Sequence, residues 1–215
     1  MSAEWAVLAA TVLGAYLLGS LSGSLLLGRL RGVDIRTQGS GNAGGTNAFR
    51  TQGWRFALAT VLVDVGKGVC AVLLMRAAGG DEAWLFAAAL AAAVGHVWPV
   101  FHGFRGGKGA ATVVGGLAVL WPAAILPLIL VWLLVLLSTG YVGLATVLAG
   151  VALTVLVLIT GMGTLWLVFS LMVAALLAYT HRSNLQRLRE GTEHRFERAR
   201  VFARLFPRRN GANDA

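Results

Sequence analysis

The chain has 215 residues, of which 57% are apolar and 13% are charged, and it carries a net charge of +9. A soluble domain is roughly 45–50% apolar and about 25% charged, so this composition excludes a soluble enzyme with its own aqueous domain and a disordered chain. A single cysteine, Cys70, excludes an intrachain disulfide, and its position in an apolar run predicts a buried, inert thiol. The mean hydropathy of +0.75 predicts an all-α, polytopic integral membrane protein.

The first three apolar runs predict three membrane spans. A hydrocarbon core about 30 Å thick takes roughly 20 helical residues to cross, and the runs cover residues 5–27, 55–77 and 83–101. Because the N-terminus lacks a basic region, we expect the first run to be a retained span rather than a cleaved signal. The loop between the second and third runs has two acids and no Lys or Arg, which favours the outer face.

The number of spans in residues 109–180 decides the topology, because this stretch contains no Asp, Glu, Lys, Arg or His. Ignoring the break at Trp121-Pro122 gives three spans, the first a long helix over 109–137. Taking the three breaks at residues 121–122, 138–140 and 161–163 gives four segments: 109–120, 123–137, 141–160 and 164–180. If the basic segments on both sides are cytoplasmic, the number must be even, hence four. The sequence therefore predicts one domain over 1–215 with seven spans, an outside N-terminus and a cytoplasmic tail, 181–215.

The tail predicts a helix on the membrane surface, because apolar or small side chains recur every three or four residues. These positions are Leu185, Leu188, Thr192, Phe196, Ala199, Phe202 and Phe206. A solvated tail is the alternative beyond Phe206.

The basic residues lie beside the apolar segments. Nine of the 18 Lys and Arg residues are arginines between Arg182 and Arg209, and five more surround one polar loop. Those five are Arg29, Arg31, Arg36, Arg50 and Arg55. The positive-inside rule predicts this distribution for cytoplasmic segments, with anionic membrane lipid as a partner. Nucleic acid is the alternative partner of a basic chain, but it would also need interleaved aromatic side chains for stacking, so we expect no nucleic-acid partner.

The first polar segment, residues 39–47, has the sequence GSGNAGGTN and is followed by Arg50. Its glycines let backbone N–H groups turn inward to form a concave nest for an anion. Four side chains add hydrogen-bond donors, and the planar guanidinium of Arg50 matches phosphate oxygens. Those four are Ser40, Asn42, Thr46 and Asn47. A flexible connector is the alternative, but glycine alone would suffice for that, so the segment favours a phosphate site.

The second polar segment, residues 103–112, opens an apolar helix with the sequence GFRGGKGAAT. A glycine-rich turn before a helix N-terminus, with Lys108 at its mouth, is typical of an anion site. The segment is not a Walker A loop, because Gly109 follows the lysine and His102 stands where the first glycine would be. The alternative is that Lys108 only marks the membrane interface.

The third polar segment begins at His181, where the last apolar run meets water. Asn184 is three residues further on and shares its helical face. The imidazole could accept a proton or, when charged, hold a phosphate, although a single interfacial histidine often has no special role. Within the spans, Asp64 and Lys67 form an i, i+3 pair that is interpreted as mutually neutralising. His96 is expected to bond to a neighbouring helix.

The sequence lacks two kinds of site. No His, Cys or Glu cluster has metal-ligand spacing, and no G-x-S-x-G motif is present, so we expect no metal, no cofactor and no serine-hydrolase elbow. Phosphate-binding groups without a nucleophile dyad suit a reaction whose substrates carry their own activation. An anion transporter is the first alternative, but it would place polar residues at mid-bilayer depth. A structural lipid-binding protein is the second, but it would not need three donor-rich loops.

Three segments together, residues 39–50, 95–112 and 181–196, resemble the three signature segments of the bacterial acyl-phosphate:glycerol-3-phosphate acyltransferase (PlsY) family. The similarity extends over nearly the whole chain and includes residues 15–20 and 32–36. The resemblance implies a seven-span enzyme of the bacterial inner membrane, with its site on the cytoplasmic face. Such an enzyme transfers a fatty acyl group from acyl phosphate to the sn-1 hydroxyl of glycerol 3-phosphate, giving lysophosphatidic acid and phosphate, and begins phospholipid synthesis without a cofactor.

The resemblance also implies the site residues. The catalytic residues would be Ser40, Arg50, Lys108 and His181. The substrate-binding residues would be Gly39, Gly41, Asn42, Gly44, Thr46, Asn47, Gly106, Gly107, Asn184 and Glu193. Either His181 or a phosphate oxygen of a substrate would take the proton of the hydroxyl. This chain departs from the family at Gly45, where alanine is usual, and at Gly143, where serine is common, which puts one phosphate contact in question.

Overall fold

The computed structural model describes residues 3–197, which form ten α-helices and no β-strand. The bounds are α1 (Ala3–Gly19), α2 (Gly23–Leu30), α3 (Gly45–Gln52), α4 (Trp54–Ala77), α5 (Glu82–Val97), α6 (Ala110–Leu120), α7 (Pro122–Thr139), α8 (Val142–Thr160), α9 (Thr164–Thr180) and α10 (Arg182–Arg189). Single 3-10 turns lie at Ile35–Thr37 and Val100–His102. The prediction of an all-helical fold is confirmed for this part of the chain.

Four helical segments are long and apolar enough to cross a membrane: α4, α5 with the turn that follows it, α7 and α8. The number rises to six when each bent pair is taken as one span, namely α1 with α2 at 48° and α9 with α10 at 57°. The remaining apolar helix, α6, has only 11 residues. In α7 only Ala124 is buried, as expected of a helix surrounded by lipid.

The first predicted span, residues 5–27, is not one continuous helix in the structure. Helix α1 ends at Gly19, and α2 begins at Gly23 after a sharp bend. An interruption inside an apolar run frees backbone N–H and C=O groups, which are costly when they are buried without partners. The run contains the small and polar sequence GSLSGS at residues 19–24, but it gives no sign of the groups that satisfy the freed backbone.

A buried ion pair from α4 supplies those partners. The Lys67 Nζ lies 3.0 Å from Asp64 Oδ1, as expected of the i, i+3 pair. Lys67 also donates to the carbonyls of Gly19 and Leu21, at 2.8 and 3.2 Å. Asp64 Oδ1 accepts from the N–H of Gly23 at 3.1 Å. The two charges therefore replace the helical hydrogen bonds that the bend removes, which explains why both are tolerated in the interior.

All three breaks considered between residues 109 and 180 occur in the structure. Helix α7 begins at Pro122, where a missing N–H is harmless because first-turn N–H groups have no helical partner. Gly140 and Gly161 end α7 and α8 in left-handed backbone, with φ of 80° and 66°. The stretch therefore forms four helices rather than three.

Helix α6 packs on α4 through glycines that bring the two backbones together. A Cβ at Gly68 would lie 2.1 Å from the carbonyl oxygen of Thr112, and a Cβ at Gly115 would lie 2.0 Å from that of Val65. Neither position has room for a side chain. This contact fixes the start of α6, and therefore also the polar loop directly before it.

Aromatic contacts join the helix ends at one side of the molecule. The rings of Trp5 and Trp84 have centroids 5.4 Å apart, and those of Trp121 and Trp166 are 5.5 Å apart. The indole N–H of Trp166 also donates to Glu82 Oε1 at 2.7 Å. This end, called the aromatic end below, therefore brings together the start of α1, the α4–α5 loop, the α6–α7 junction and the start of α9.

The three polar segments meet at the opposite end, called the polar end below. There the Thr180 hydroxyl donates to the Lys108 carbonyl at 3.0 Å. The N–H of Phe196 donates to the carbonyl of Gly140 at 2.9 Å, so the α7–α8 loop lies at this end as well. Within residues 3–197, seven helical passages connect the two ends when the bent pair α1–α2 is taken as one.

The expectation that Cys70 is buried is wrong, because its side chain is exposed. The buried face of α4 follows a helical stripe that includes Asp64, Lys67, Ala71 and Met75, and Cys70 lies off this stripe. In a membrane protein the surface that faces lipid is as apolar as the core. An apolar run therefore does not distinguish the two faces.

The predicted tail helix is also wrong beyond its first turns. Helix α10 ends at Arg189, and Gly191 follows with a φ of 71°. The positive φ reverses the chain, and residues 192–197 return across the polar end instead of continuing along the surface. Ala199, Phe202 and Phe206 lie outside the described residues.

Candidate active site

The loop over residues 39–47 is organised around the buried side chain of Asn47. Its Oδ1 accepts from the N–H of Ser40 at 2.9 Å, and its Nδ2 donates to the carbonyls of Ile35 and Gln38 at 3.1 and 3.0 Å. Both amide hydrogens are used, so Asn47 has no donor left for a substrate. This geometry favours a role in shaping the loop, which differs from the direct binding expected from the sequence.

Positive φ angles at two glycines reverse the chain around Ser40. Gly39 and Gly41 have φ of 55° and 71°, values that other residues adopt only with strain. Ser40 is exposed between them, and Asn42 is half-buried. The glycine pattern therefore presents Ser40 and Asn42 at the surface of the polar end.

The second polar segment is pinned to the end of α5. The N–H groups of Gly106 and Gly107 donate to the carbonyls of Val97 and His96, at 3.2 and 3.0 Å. A Cβ at Gly107 would lie 2.0 Å from His96 Nε2, so glycine is required for this close approach. His96 in turn contacts the Lys67 ammonium through Nδ1 at 2.7 Å, which bears out the expected bond to a neighbouring helix. Helix α6 then begins at Ala110, so the loop does feed a helix N-terminus.

Arg36 ties the first two polar segments together. Its guanidinium pairs with Asp34 at 2.7 Å and donates to the carbonyls of His102 and Arg105 at 2.9 and 3.2 Å. This ion pair holds the pKa of the Asp34 carboxyl below its usual value. The carbonyl of Gly106 also accepts from the N–H of Ala43.

Lys108 begins a chain of charged hydrogen bonds that leads into the third segment. Its ammonium donates to Asn184 Oδ1, and Asn184 Nδ2 donates to Glu193 Oε1 at 2.6 Å. Glu193 Oε2 accepts from Arg187 Nε at 2.7 Å. The chain fixes the orientation of the Asn184 amide and places two cations, Lys108 and Arg187, on either side of one carboxylate.

A cavity of about 310 Å³ at the polar end is lined by residues of all three segments. The first segment contributes Ser40, Gly41 and Asn42, the second contributes Gly107 and Lys108, and the third contributes Thr180, Arg182, Ser183 and Arg187. Val97, Trp98 and Tyr179 complete the wall. The convergence of three segments that lie far apart in sequence marks this cavity as the candidate active site.

The charges around the cavity favour an anion. Burial, reinforced by Arg187 and Arg50, lowers the pKa of the Lys108 ammonium to about 8, while Glu193 opposes the shift. Burial also lowers the pKa of the Arg50 guanidinium, which stays charged because arginine titrates far above neutral pH. Lys108, Arg187 and Arg50 are therefore close to a single carboxylate, Glu193, and Arg182 adds a further positive charge to the cavity wall. A bound dianion would relieve the mutual repulsion of these cations.

His181 is buried at the junction of α9 and α10. Its Nδ1 lies 2.8 Å from the carbonyl oxygen of Leu177. Because a carbonyl oxygen can only accept, we assign the ring proton to Nδ1, which leaves Nε2 as the acceptor. Burial and the charge of Lys108 lower the pKa of the imidazole to about 4. His181 is therefore neutral near pH 7.

Arg50 and several other predicted residues do not line the cavity but belong to the segments around it. Arg50 lies on α3 close to Lys108, and the charges of Arg50 and Glu193 both affect the pKa of Lys108. Asn184 bonds to Lys108 directly, and His181 is close enough to feel its charge. Gly39, Gly44, Thr46 and Gly106 belong to the two loops and contribute backbone shape.

Sequence reasoning missed several residues of the site. Arg187 is three residues after Asn184 on the same helical face, and this spacing was the available signal. Thr180 and Phe196 gave no such signal, because their partners are distant in sequence. The partner of Thr180 is Lys108, 72 residues earlier, and that of Phe196 is Arg50 on α3. Helix α3 was also missed, since its polar, glycine-led sequence reads as loop.

The model of the glycerol-3-phosphate acyltransferase family matches residues 9–191. The chain belongs to this family. It is 48% identical to the glycerol-3-phosphate acyltransferase of Thermus thermophilus over 191 residues, which is 88% of this chain and 96% of the relative. It is 43% identical to that of Geotalea daltonii over 187 residues, covering 87% and 96% of the two chains. The resemblance inferred from the three polar segments is confirmed.

Solved structures support the same family assignment. The chain is similar to the crystal structure of PlsY, an integral membrane glycerol 3-phosphate acyltransferase, in its glycerol 3-phosphate form, with 37% identity and a TM-score of 0.84 over 91% of this chain and 98% of that one. The lysophosphatidic acid form gives 36% identity and a TM-score of 0.83 with the same coverage. This chain is therefore a multi-pass integral membrane protein and a glycerol-3-phosphate acyltransferase.

Proposed function

We propose that the enzyme transfers a fatty acyl group from acyl phosphate to the sn-1 hydroxyl of glycerol 3-phosphate, giving lysophosphatidic acid and inorganic phosphate. The observation that carries the proposal is a polar cavity where three cationic or donor-rich segments meet. Both substrates are anionic, and the described residues offer phosphate-binding groups without a cluster of three or more metal ligands. Such a site suits a donor that is already an activated mixed anhydride.

The proposal assigns the two anionic heads to different walls. The loop over residues 39–46, with Ser40 and Asn42 as donors, would hold the phosphate of the acyl donor. Arg50 and Lys108 would hold the phosphate of glycerol 3-phosphate, and Asn184 Oδ1, oriented by its neighbours, would accept a hydrogen bond from a hydroxyl group of the glycerol. Holding both substrates together could supply up to roughly 7–11 kcal/mol of the acceleration through effective concentration.

An apolar cavity near the polar one could hold the acyl chain of the donor. A second, apolar cavity of about 210 Å³ lies among α6, α7, α8 and α9. Ala110 and Ala111 line it, directly after the Lys108 loop, and Leu153 and Val173 line it in the interior of the bundle. We propose that the chain of the donor enters here while its head remains at the polar end.

The acyl transfer balances without an external base. The sn-1 hydroxyl oxygen forms a bond to the acyl carbonyl carbon, the bond from that carbon to the phosphate oxygen breaks, and the hydroxyl proton goes to a phosphate oxygen. A phosphate has a second pKa of about 6, whereas that of His181 is about 4, so phosphate is the stronger base. We therefore favour a substrate-assisted transfer in which His181 Nε2 orients the hydroxyl. Ser40 and backbone N–H groups would stabilise the oxyanion.

We propose seven membrane crossings, with the N-terminus outside and the polar end in the cytoplasm. The support is that seven helical passages join the aromatic end to the polar end, and that arginines cluster at the polar end. Both substrates would then be taken from the cytoplasmic side of the bacterial inner membrane. Anionic lipid would contact the exposed basic side chains there, which include Arg29 and Arg31.

The proposed donor is tested by assaying the purified protein with glycerol 3-phosphate and one acyl donor at a time. With acyl phosphate we expect release of inorganic phosphate and formation of 1-acyl lysophosphatidic acid, measured by mass spectrometry. An acyl thioester should give no product, because the donor loop is expected to hold a phosphate. Turnover with the thioester and none with acyl phosphate would refute the proposed donor.

Two substitutions connect this activity to the cavity. Arg50→Ala and Lys108→Ala should each lower kcat/KM by at least about 100-fold, because each removes a charge that holds a substrate in place. Arg29→Ala is the matched control, since Arg29 is an exposed arginine on the same face that lies outside the cavity. Near-normal activity of either site variant, in folded protein, would contradict the shared site.

A further inference from the structure

The guanidinium of Arg50 is held in an unusual way. It is half-buried on α3, and its Nε is buried without a hydrogen-bond partner. An unpaired buried donor in a native site calls for an explanation, and a missing ligand is one. Glu193 is near enough to affect the pKa of Arg50, but no ion pair joins the two among the described residues.

The contact that Arg50 does make is with an aromatic ring. Its guanidinium carbon lies 4.7 Å from the centre of the Phe196 ring, within the range of a cation–π interaction. A ring stacked on a guanidinium contacts its face and leaves the N–H groups at its edge free. The edge of Arg50 therefore stays available for an anion while its face is covered.

Residues 193–196, called the strap below, hold this ring in place through hydrogen bonds to α10 and to the α7–α8 loop. Glu193 is bonded to Asn184 and Arg187 of α10. Arg195 Nε donates to the carbonyl of Thr139 at 3.0 Å, and the N–H of Phe196 donates to that of Gly140 at 2.9 Å. The strap thus spans from α10 to the α7–α8 loop.

The strap also joins two parts of the site that have no direct bond. Its first residue, Glu193, ends the hydrogen-bond chain that starts at Lys108. Its last residue, Phe196, covers Arg50. Both cations assigned to one phosphate are therefore positioned by the same four residues, although they come from α3 and from the loop before α6.

We propose that Phe196 is a positioning residue that fixes the Arg50 guanidinium for the phosphate of glycerol 3-phosphate. This inference rests on the proposed function, because it takes that phosphate as the ligand of Arg50. Without the ring, the long arginine side chain would sample other rotamers, and the entropy of ordering it would be lost at each binding event. Phe196 itself touches no reacting atom.

Substitution of the ring separates positioning from simple filling of space. In Phe196→Leu the apolar volume is largely kept and the π face is lost, so we expect the KM for glycerol 3-phosphate to rise about tenfold, with kcat and the KM for acyl phosphate within about twofold of wild type. Phe196→Tyr and Phe196→Trp keep the face and should restore the KM. If Phe196→Leu does not fold, Phe196→Met fills the same space with a flexible side chain and is used instead.

Trp54 offers a matched control. The guanidinium carbon of Arg55 lies 5.4 Å from a Trp54 ring on the exposed surface, so Trp54→Leu removes a cation–π contact outside the site and should leave both KM values unchanged. An active wild type with equal KM values in Phe196→Leu and wild type would overturn this inference alone. So would a loss in Phe196→Leu that the aromatic variants fail to rescue. An inactive wild type would instead reject the proposed function.

Discussion

At the scale of single residues, the site depends on Lys108, whose ammonium begins to lose its proton not far above neutral pH. The ammonium of Lys108 is half-buried next to Arg187 and Arg50, and its pKa falls to about 8. Its hydrogen bond to Asn184 and the nearby Glu193 offset some of this repulsion. A bound dianion would stabilise the charged form of Lys108, because its negative charge offsets the cost of burying the ammonium near other cations.

The pH dependence of the enzyme should reveal this lysine. Lys108 is charged below its pKa of about 8 and neutral above it, so kcat/KM for glycerol 3-phosphate should fall roughly tenfold per pH unit above that value. The measurement is kcat/KM between pH 6 and 10 at saturating acyl phosphate. Lys108→Arg keeps its charge over this range, so its remaining activity should lack the alkaline fall. The same fall in Lys108→Arg would assign it to another group.

The sequence predicted the role of a side chain only where that residue type, in that local setting, commonly serves one function. Lys108 at a helix N-terminus and Arg50 beside a glycine-rich loop were predicted because phosphate binding requires such groups, and Lys108 lines the cavity. Asn47 was interpreted as a substrate donor, yet its amide is used by the loop itself. The expectation that Cys70 is buried is wrong, because the neighbours of a residue in sequence do not show which face of a helix meets lipid.

At the scale of helices, close backbone contact between α4 and α6 supports the loop that carries Lys108. Gly115→Ala would place a Cβ 2.0 Å from the Val65 carbonyl, so α6 must move, at a cost of roughly 1–3 kcal/mol. We expect a lower melting temperature and lower activity, because the start of α6 and the preceding loop shift together. Thermal unfolding in detergent and the acyl transfer assay measure the two effects.

Gly66 provides the control for this prediction on the neighbouring helix. It lies within α4, and a Cβ there would have no atom within 4 Å. Gly66→Ala should therefore stabilise the protein slightly, by about 0.5–1 kcal/mol, because alanine favours a helix more than glycine does. If both variants behaved alike, steric packing of α4 on α6 would not be the cause.

Helix breaks were predictable where a local residue enforces them. Pro122, Gly140 and Gly161 each end or begin a helix for reasons that act within a few residues. The bend between α1 and α2 was missed although Gly19 and Gly23 lie at it, because the partners of its backbone groups, Lys67 and Asp64, come from another helix. The end of α10 was missed for a similar reason, since the strap is held by Gly140 and Thr139, more than 50 residues earlier.

At the scale of the whole molecule, function requires that Ser40, Lys108 and His181 share one compartment. Their segments meet around one cavity, which supports the shared compartment. Whether the number of membrane crossings is odd or even depends on α6. Its 11 residues span about 16 Å at a rise of 1.5 Å each. This is about half of the hydrocarbon thickness. The aromatic contact between Trp121 and Trp166 nevertheless groups the end of α6 with the start of α9.

Cysteine labelling decides whether α6 completes a crossing. The exposed Cys70 is first replaced by alanine, and single cysteines are then introduced at the exposed positions Ser183, Ala83 and Ala123. A membrane-impermeant maleimide added to intact cells with a permeabilised outer membrane should label the cysteines at 83 and 123. The cysteine at 183 should react only after the inner membrane is opened. If α6 is instead a re-entrant segment, every passage after it reverses, because three helices separate residue 123 from residue 183. The cysteine at 123 would then be protected and that at 183 would react in intact cells, which would contradict the proposed topology. A cysteine introduced at Met162 should react like that at 123 in either case, which checks the crossings of α7 and α8.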